Sequence, residues 1–240
     1  MTNVADFKKL IARIPADRFK NVWFFPLRQD RKNPDVPSGT ILKGNLAYRL
    51  DVKSCLYRLK QGKNVGIYGL LGGLMFLDLD VSKGEIIASE HFMKQIPSTF
   101  MVRTRNGGYQ YYYLNQGLYP NQIIKENNIQ IGELRTNWYY VVGAGSFVTP
   151  DENNNGGDGT YRVIKDIPIA EFSGVGNYIQ QGIIKDDLER FSKVTLKQDE
   201  VTLEDYNKKL VEKGKTNKRK LDTEQIKNIM WQMENKIPRA

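Results

Sequence analysis

Residues 64–81 constrain the fold of this chain more than any other stretch. They read NVGIYGLLGGLMFLDLDV, two apolar runs that are separated by a glycine-rich turn, and the second run ends in two aspartates. Short apolar runs bounded by glycine predict β-strands, so we expect a hairpin whose second strand is central in a sheet. Because alternate residues of a strand face the same side, Asp78 and Asp80 project together while Leu77 and Leu79 enter the opposite layer.

Asp78 and Asp80 place two carboxylates close together among apolar neighbours. Unpaired, they would repel each other and one would take up a proton, so the pair calls for a cation. The single cysteine, Cys55, and the single histidine, His91, exclude an internal disulfide and a zinc site built on nitrogen and sulfur. Oxygen ligands select magnesium, manganese or calcium instead. The alternative is a structural pair at a strand end, capped by neighbouring amides or by Lys83.

A third carboxylate, Glu133, ends the apolar run IQIGEL. Simple alternation gives Glu133 the same side as Ile129 and Ile131, which is unfavourable for a residue that has to meet the two aspartates. We therefore expect the strand to twist or bulge at Gly132 if Glu133 joins them. Taken with the paired aspartates, Glu133 predicts a site of three carboxylates for a hard metal ion.

Patterning along the rest of the chain predicts an α+β fold with about seven strands and three helices up to residue 164. Helices are expected over 4–14, after an N-cap at Asp51, and from a capping box at Ser82 and Glu85 to residue 96. Asn106-Gly107 predicts a tight turn between strands over 99–104 and 109–114. Further strands are expected over 22–26, 129–134, 138–143 and 161–164.

The composition changes after Phe172, where apolar content falls and charge rises. We predict a folded domain over residues 1–173 and a charged appendage over residues 174–240, helical or partly disordered, with a basic run at 213–220. The formal net charge of +9 and the pI near 9.4 favour an anionic partner, of which nucleic acid is the usual one. No apolar run is long enough to cross a bilayer and the start lacks a leader pattern, so we expect a cytoplasmic protein without a membrane partner.

The order of these features resembles a known family. KNP in an early loop is followed by NVGIYG, LMFLDLD, TRNGGYQYYYL, GELRTNWYYVVGAGS and GTYRVI. This succession is similar to the catalytic domain of archaeo-eukaryotic primases, in the bifunctional primase-polymerase (prim-pol) branch of plasmid, virus and mobile-element replication proteins. The resemblance covers roughly residues 20 to 165 and rests on ordered spacing rather than on one motif.

The resemblance implies an archaeo-eukaryotic primase-like core with a mixed, mostly antiparallel sheet flanked by helices. It implies that Asp78, Asp80 and Glu133 bind two divalent ions, Mg²⁺ or Mn²⁺, for nucleotidyl transfer from nucleotides or deoxynucleotides on a single-stranded DNA template and primer. Some relatives carry a cysteine-rich zinc stem, which this chain cannot build, so no zinc is expected. No phosphate-binding G-x-x-x-x-G-K-[ST] loop occurs, so unwinding would need a separate helicase.

Five residues are the predicted nucleotide contacts. Gln110 follows the glycine turn where the family has a histidine, and glutamine can donate a hydrogen bond to phosphate but carries no charge. Arg105 and Arg135 are expected to contact phosphate because guanidinium pairs well with phosphate oxygens, although each could be a solvated strand-end arginine. Gly108 and Ser146 complete the set; Ser146 ends the run GAGS where the family often has Pro-Pro-Ser.

Two other functions compete with this interpretation. A metal-dependent nuclease would use the same carboxylates, but no E-x-K or D-x-K pair follows an acidic strand residue in the usual nuclease pattern. A rolling-circle relaxase is excluded, because its metal motif needs two histidines and His91 is alone. The second competitor is a catalytically weak or inactive primase-fold protein that binds DNA as a replication initiator, and Gln110 is the residue that favours it.

Overall fold

The computed structural model describes residues 1–40, 42–82, 85–150 and 158–182, and it has an α+β fold. None of its helices is long and apolar enough to cross a membrane. The helices are α1 (Val4–Arg13), α2 (Ala16–Phe19), α3 (Val52–Lys60) and α4 (Glu90–Gln95), with a 3-10 turn at Leu46–Tyr48. The strands are β1 (Trp23–Leu27), β2 (Asn64–Tyr68), β3 (Leu74–Leu79), β4 (Val81–Ser82), β5 (Glu85–Ile86), β6 (Met101–Arg103), β7 (Tyr109–Leu114), β8 (Gln122–Glu126), β9 (Ile129–Arg135), β10 (Tyr140–Val142), β11 (Arg162–Lys165) and β12 (Ala170–Glu171).

The strands form one large sheet and two small ones. The large sheet runs β11-β6-β7-β3-β9-β8, all antiparallel neighbours, and β12 adds to β7 in the parallel direction. A second sheet has the order β1-β2-β10, and β4 pairs with β5. The predicted class, a mixed and mostly antiparallel sheet with helices beside it, is confirmed, and β3 is central as expected.

The predicted hairpin over residues 64–81 is wrong in one respect, because its two strands belong to different sheets. β2 pairs with β1 and β10, whereas β3 pairs with β7 and β9. The turn between them forms hydrogen bonds with other segments of the chain. The Gly69 amide donates to the Tyr139 carbonyl (2.8 Å), and the Gly72 amide donates to the Asn115 carbonyl (2.9 Å). Both strands are buried along nearly their whole length, so their backbone groups need partners at both edges.

The helix predicted from Glu85 is also wrong at its start. Residues around Ser82 and Glu85 form the short β4–β5 pair, and the helix begins only at Glu90. Ser89 is the N-cap, accepting from the Phe92 amide (3.1 Å), and its own amide donates to the Glu126 carboxylate (2.8 Å). Ser89 therefore starts α4 as a local cap, and the bond to Glu126 ties that cap to β8.

The turn between β6 and β7 is longer than the tight turn that was predicted. It is closed by the Thr104 amide donating to the Gly108 carbonyl (2.8 Å) and by the Gly107 amide donating to the Thr104 carbonyl (3.0 Å). Within it Gly107 has a positive φ of 97°, whereas Asn106 does not. The hairpin itself is confirmed, and only Gly107 in this turn uses the left-handed region.

The two faces of the large sheet have different environments. Leu77 and Leu79 lie on what we call the packed face, in a buried cluster with Phe92 of α4 and with Phe172 and Val175 beyond β12. The opposite face, which we call the carboxylate face, carries the side chains of the alternate β3 residues. Its apolar part includes a pair of buried rings, Phe76 and Tyr112, with centroids 5.0 Å apart.

The predicted boundary at residue 173 stays a prediction. Residues just past it belong to the packed face, since Val175 and Ile179 are buried there and the Tyr178 ring contacts Phe92 at 5.0 Å. Most of the predicted appendage, residues 183–240, lies outside the described residues.

Candidate active site

A row of polar side chains crosses three adjacent strands of the large sheet. Asp78 of β3 lies directly opposite Gln110 of β7 on one side and Glu133 of β9 on the other. Directly paired residues share a face, so all three project from the carboxylate face. Asp80 follows two residues after Asp78, just past the end of β3, and its side chain accepts from the Gln130 amide (3.4 Å). The strand alternation predicted for the two aspartates is confirmed.

A bulge in β9 brings Glu133 to this face. The β8 partner of Gly132 is Ile124, but the next β8 residue, Lys125, pairs with Gln130, so Ile131 is an extra residue in the ladder. Ile131 is buried in the packed face and Glu133 lies across the sheet from it. The bulge expected at Gly132 is therefore confirmed, and it resolves the unfavourable alternation of the sequence.

Glycine is required at the bulge by the closeness of β3. A Cβ on Gly132 would lie 2.3 Å from the Asp78 carbonyl oxygen and 2.9 Å from Leu79 Cδ2. Gly108, on the other side of β3, is similar, since its Cβ would lie 2.4 Å from the Leu79 carbonyl oxygen. Both glycines let a neighbouring strand approach the end of β3 without displacing the aspartates.

One arginine ties the carboxylates together. Arg135 Nη2 lies 3.0 Å from Glu133 Oε2 and 3.4 Å from Asp78 Oδ2, while Nη1 donates to the Tyr140 carbonyl (2.7 Å). These side chains are partly shielded from water, with 27% of Arg135, 18% of Asp78 and 32% of Glu133 exposed. The guanidinium therefore occupies a position where a cation is electrostatically favoured.

The ionisation of the aspartates follows from burial and from these neighbours. Burial raises the pKa of Asp78 above its ordinary value, and the Arg135 guanidinium opposes that rise. Burial also raises the pKa of Asp80, against the hydrogen bond from Gln130. Desolvation outweighs the positive charges at both positions, so an additional cation beside them would stabilise the ionised forms.

The donor set suits an oxygen-preferring metal ion, but it is not assembled as a closed cage. Asp78, Asp80 and Glu133 supply carboxylate oxygens, which are the ligands that Mg²⁺ and Mn²⁺ prefer. In the described part of the chain no three His, Cys, Asp or Glu side chains converge closely enough to form a ready metal cluster. Arg135 lies between Asp78 and Glu133, so Glu133 could join a metal only if the guanidinium moved aside. Lys83, the alternative cap for the aspartates, lies outside the described residues.

The structure brings some of the predicted nucleotide contacts to the aspartates and places others elsewhere. Gln110 lies in the polar row, is 3% exposed, and its Oε1 has no hydrogen-bond partner among the described residues. Arg105 donates instead to the Thr149 carbonyl (2.7 Å). Ser146 is fully buried, and its Oγ accepts from the Val65 amide (3.2 Å). The roles of Arg105 and Ser146 in nucleotide binding stay predictions, and their observed contacts hold loops to the fold.

Sequence reasoning missed a second cation of the site, Lys32. It lies in the loop after β1, and its positive charge opposes the rise that burial causes in the pKa of Asp78 and of Asp80. Its carbonyl accepts a hydrogen bond from the Tyr140 hydroxyl (3.2 Å), and the backbone carbonyl of the same tyrosine accepts from Arg135. The KNP motif contains Lys32, so the residue was visible, but nothing in the order of strands indicated that this loop returns to β3.

A comparison with known protein families finds a match. The model of a family described as bifunctional DNA primase/polymerase, N-terminal, matches residues 19–174. The matched region contains β3, β7, β9 and the loop that carries Lys32. A search of curated proteins finds no match.

Proposed function

Because the chain belongs to the bifunctional DNA primase/polymerase family, we propose that it synthesises or extends primers on single-stranded DNA by metal-dependent nucleotidyl transfer. The observation that supports this most is the row Gln110, Asp78 and Glu133 on one face of the central strand, with Asp80 beside it. The proposed setting is the replication of a plasmid, virus or mobile element, with nucleoside or deoxynucleoside triphosphates as substrates and a separate helicase for unwinding.

Asp78 and Asp80 would hold the divalent ions, Mg²⁺ or Mn²⁺, and Glu133 would join them when Arg135 moves aside. Such ions lower the pKa of an attacking 3′-hydroxyl and neutralise the leaving pyrophosphate. The protein's part is then mainly positioning. The two glycines beside β3 fix the carboxylates in register, and Arg135 keeps Asp78 and Glu133 paired with positive charge before the substrate enters.

Gln110 would take part in holding the nucleotide. Its buried amide has one polar end without a partner, which costs free energy until a ligand supplies one. The unpartnered atom is Oε1, an acceptor, so a group that donates, such as a sugar hydroxyl, would satisfy it. Gln110 is uncharged, whereas the family has a histidine at this position.

Labelled nucleotide incorporation on primed and unprimed single-stranded templates, with Mg²⁺ or Mn²⁺, tests the proposal. We expect wild-type protein to incorporate label and Asp78→Asn to lose that activity. Asp17→Asn is the matched control, because Asp17 is a surface carboxylate with 75% of its side chain exposed, and it should retain activity.

The same assay separates the second candidate, a DNA-binding initiator without polymerase activity, which the neutral Gln110 favours. Tight binding of single-stranded DNA by folded wild-type protein, with no incorporation under either metal, would overturn the enzymatic proposal in its favour. Shortening of the template strand in the same reactions would instead identify a nuclease.

A further inference from the structure

The turn between β9 and β10, residues 136–139, presents one tyrosine ring to solvent. Tyr139 is 51% exposed, and the next residue, Tyr140, begins β10. The Tyr140 carbonyl accepts from Arg135 Nη1 (2.7 Å), and Nη2 of the same guanidinium lies 3.4 Å from Asp78 Oδ2. Tyr139 is therefore one residue away from a backbone group that contacts the site.

The aromatic residues on either side of Tyr139 pack inward. The Trp138 ring lies edge-on to Trp23 and Tyr68, with centroids 5.6 Å and 5.4 Å away. The Tyr140 ring also contacts Tyr68, at 5.9 Å. Both neighbours thus cover the small sheet β1-β2-β10, and Tyr139 is the most exposed ring of the three.

The backbone holds this arrangement in a strained conformation. Trp138 has a positive φ of 53°, which is rare for a bulky residue and persists only where surrounding contacts enforce it. The Trp138 amide donates to the Gly69 carbonyl (2.9 Å), and the Gly69 amide donates to the Tyr139 carbonyl (2.8 Å). Asn121 Oδ1 fixes the start of the turn by accepting from the Thr136 amide (2.7 Å). Such strain is concentrated at ligand-binding sites, and a turn fixed in advance needs little ordering when a ligand binds.

A lysine supplies positive charge beside the exposed ring. Lys43 lies between β1 and α3, and its Nζ is 5.8 Å from the centroid of the Tyr139 ring. This distance is near the outer limit of a cation–π contact, so the ammonium group does not seal the ring from solvent. An exposed aromatic ring beside a cation suits single-stranded nucleic acid, because a base stacks on the ring and the cation meets the phosphate backbone.

From this arrangement we propose that Tyr139 and Lys43 form a stacking platform for single-stranded DNA, with an unpaired base on the Tyr139 ring and a backbone phosphate beside Lys43. The platform belongs to the turn and to the segment before α3, outside the row of carboxylates on the large sheet. It accepts any base, since every base has a face that can stack. The inference rests on the proposed function for its single-stranded DNA partner and adds a surface that holds that strand.

The test compares two oligomers that differ only in their bases. Binding of fluorescent oligo(dT) and of an abasic oligomer of the same length is measured by fluorescence anisotropy, without metal or nucleotide. The variants are Tyr139→Ala, Tyr139→Phe and Lys43→Gln, and thermal unfolding verifies that each is folded. Tyr57→Ala and Lys60→Gln are the matched controls, because both residues are exposed on α3 and carry the same side chains as the platform.

We expect Tyr139→Ala to weaken oligo(dT) binding about five-fold or more, the contribution of one stacked base, and to leave binding of the abasic oligomer unchanged. Tyr139→Phe keeps the ring and should bind as wild type does. Lys43→Gln should weaken binding of both oligomers and lower the salt dependence, the slope of log K against log salt concentration, by about 0.7. Both control variants should match wild type.

Three outcomes for Tyr139 would overturn the platform: no loss in Tyr139→Ala, an equal loss with both oligomers, or a Tyr139→Phe variant as weak as Tyr139→Ala. Nucleotide incorporation by wild type would leave the proposed function intact in each case. A loss in Tyr139→Ala that depends on the bases, together with no incorporation by wild type, would support the platform and overturn the proposed function alone. Folded wild type that does not bind oligo(dT) would overturn both.

Discussion

Asn64→Ala would remove the side chain that anchors the loop over residues 28–33, and its cost can be worked out from the contacts. The amide group has two hydrogens for three nearby carbonyls, so about two donated hydrogen bonds and one accepted bond are lost. Each bond contributes about 1 kcal/mol net. The Phe147 amide is also left without its partner in a part-buried place, which costs about 1–3 kcal/mol when no water replaces it.

Water can reach the carbonyls of Arg28 and Arg31, because both residues are exposed, and this lowers the total. We therefore expect Asn64→Ala to lower the free energy of unfolding by about 2–4 kcal/mol. For a chain of this size each kcal/mol corresponds to about 2–4 °C in the midpoint of thermal unfolding.

Urea unfolding followed by circular dichroism measures this loss of stability. Asn33→Ala is the matched control, since Asn33 is exposed in the same loop, and a change within about 0.5 kcal/mol is expected there. A loss below about 1 kcal/mol for Asn64→Ala would refute the reasoning that this one buried amide fixes the loop.

Three further perturbations follow from the geometry. Gly132→Ala should destabilise by about 1–3 kcal/mol, because the added Cβ presses on the β3 backbone, and it should reduce incorporation. Gly62→Ala also destabilises, by about 1 kcal/mol, because Gly62 has a positive φ of 74°, but its added Cβ meets open space and incorporation should be unchanged; urea unfolding and the incorporation assay measure both effects. Arg135→Gln should lower the free energy of unfolding of the metal-free protein by about 1 kcal/mol, because its ion pairs with Glu133 and Asp78 are lost. It should also tighten Mn²⁺ binding, measured by electron paramagnetic resonance, since the metal no longer competes with the guanidinium. Weaker Mn²⁺ binding would contradict that competition. Hydrogen bonds from Ser89 lower the pKa of Glu126 from its ordinary value of 4.5, so the ionised carboxylate stabilises the fold above pH 4.5 and this stabilisation is lost as the pH falls through the lowered pKa. Glu126→Gln should therefore make the free energy of unfolding less sensitive to acid in urea titrations between neutral pH and pH 3. An unchanged pH profile would contradict the assignment.

Much of the fold could be predicted from the sequence because local patterns carried it. The spacing of apolar residues located α1, α3 and β3, and strand alternation placed Asp78 and Asp80 on one face. The bulge at Gly132 followed from the conflict between the alternation of β9 and the need for Glu133 beside the aspartates. These are inferences over a few residues, where backbone geometry leaves few choices.

The errors concern contacts between distant segments. Nothing within residues 64–81 indicates that β2 leaves for a separate sheet, because that depends on β10, more than 70 residues later. The cap of α4 is tied to Glu126 of β8, and the path of the loop that carries Lys32 depends on Asn64 and Tyr140. Residue types predicted the chemistry of the site, whereas its second cation became visible only from the packing of loops.

The extra residue in β9 has a consequence for how relatives of this chain should be aligned. Gln130 and Glu133 both reach the carboxylate face although they are three positions apart, while Arg135 follows Glu133 at the usual two. A relative that is one residue shorter between positions 130 and 133 would keep its acidic residue on the same face without a bulge. A length difference between Glu133 and Arg135 would instead send the two side chains to opposite faces, so an alignment gap there would mark a different site.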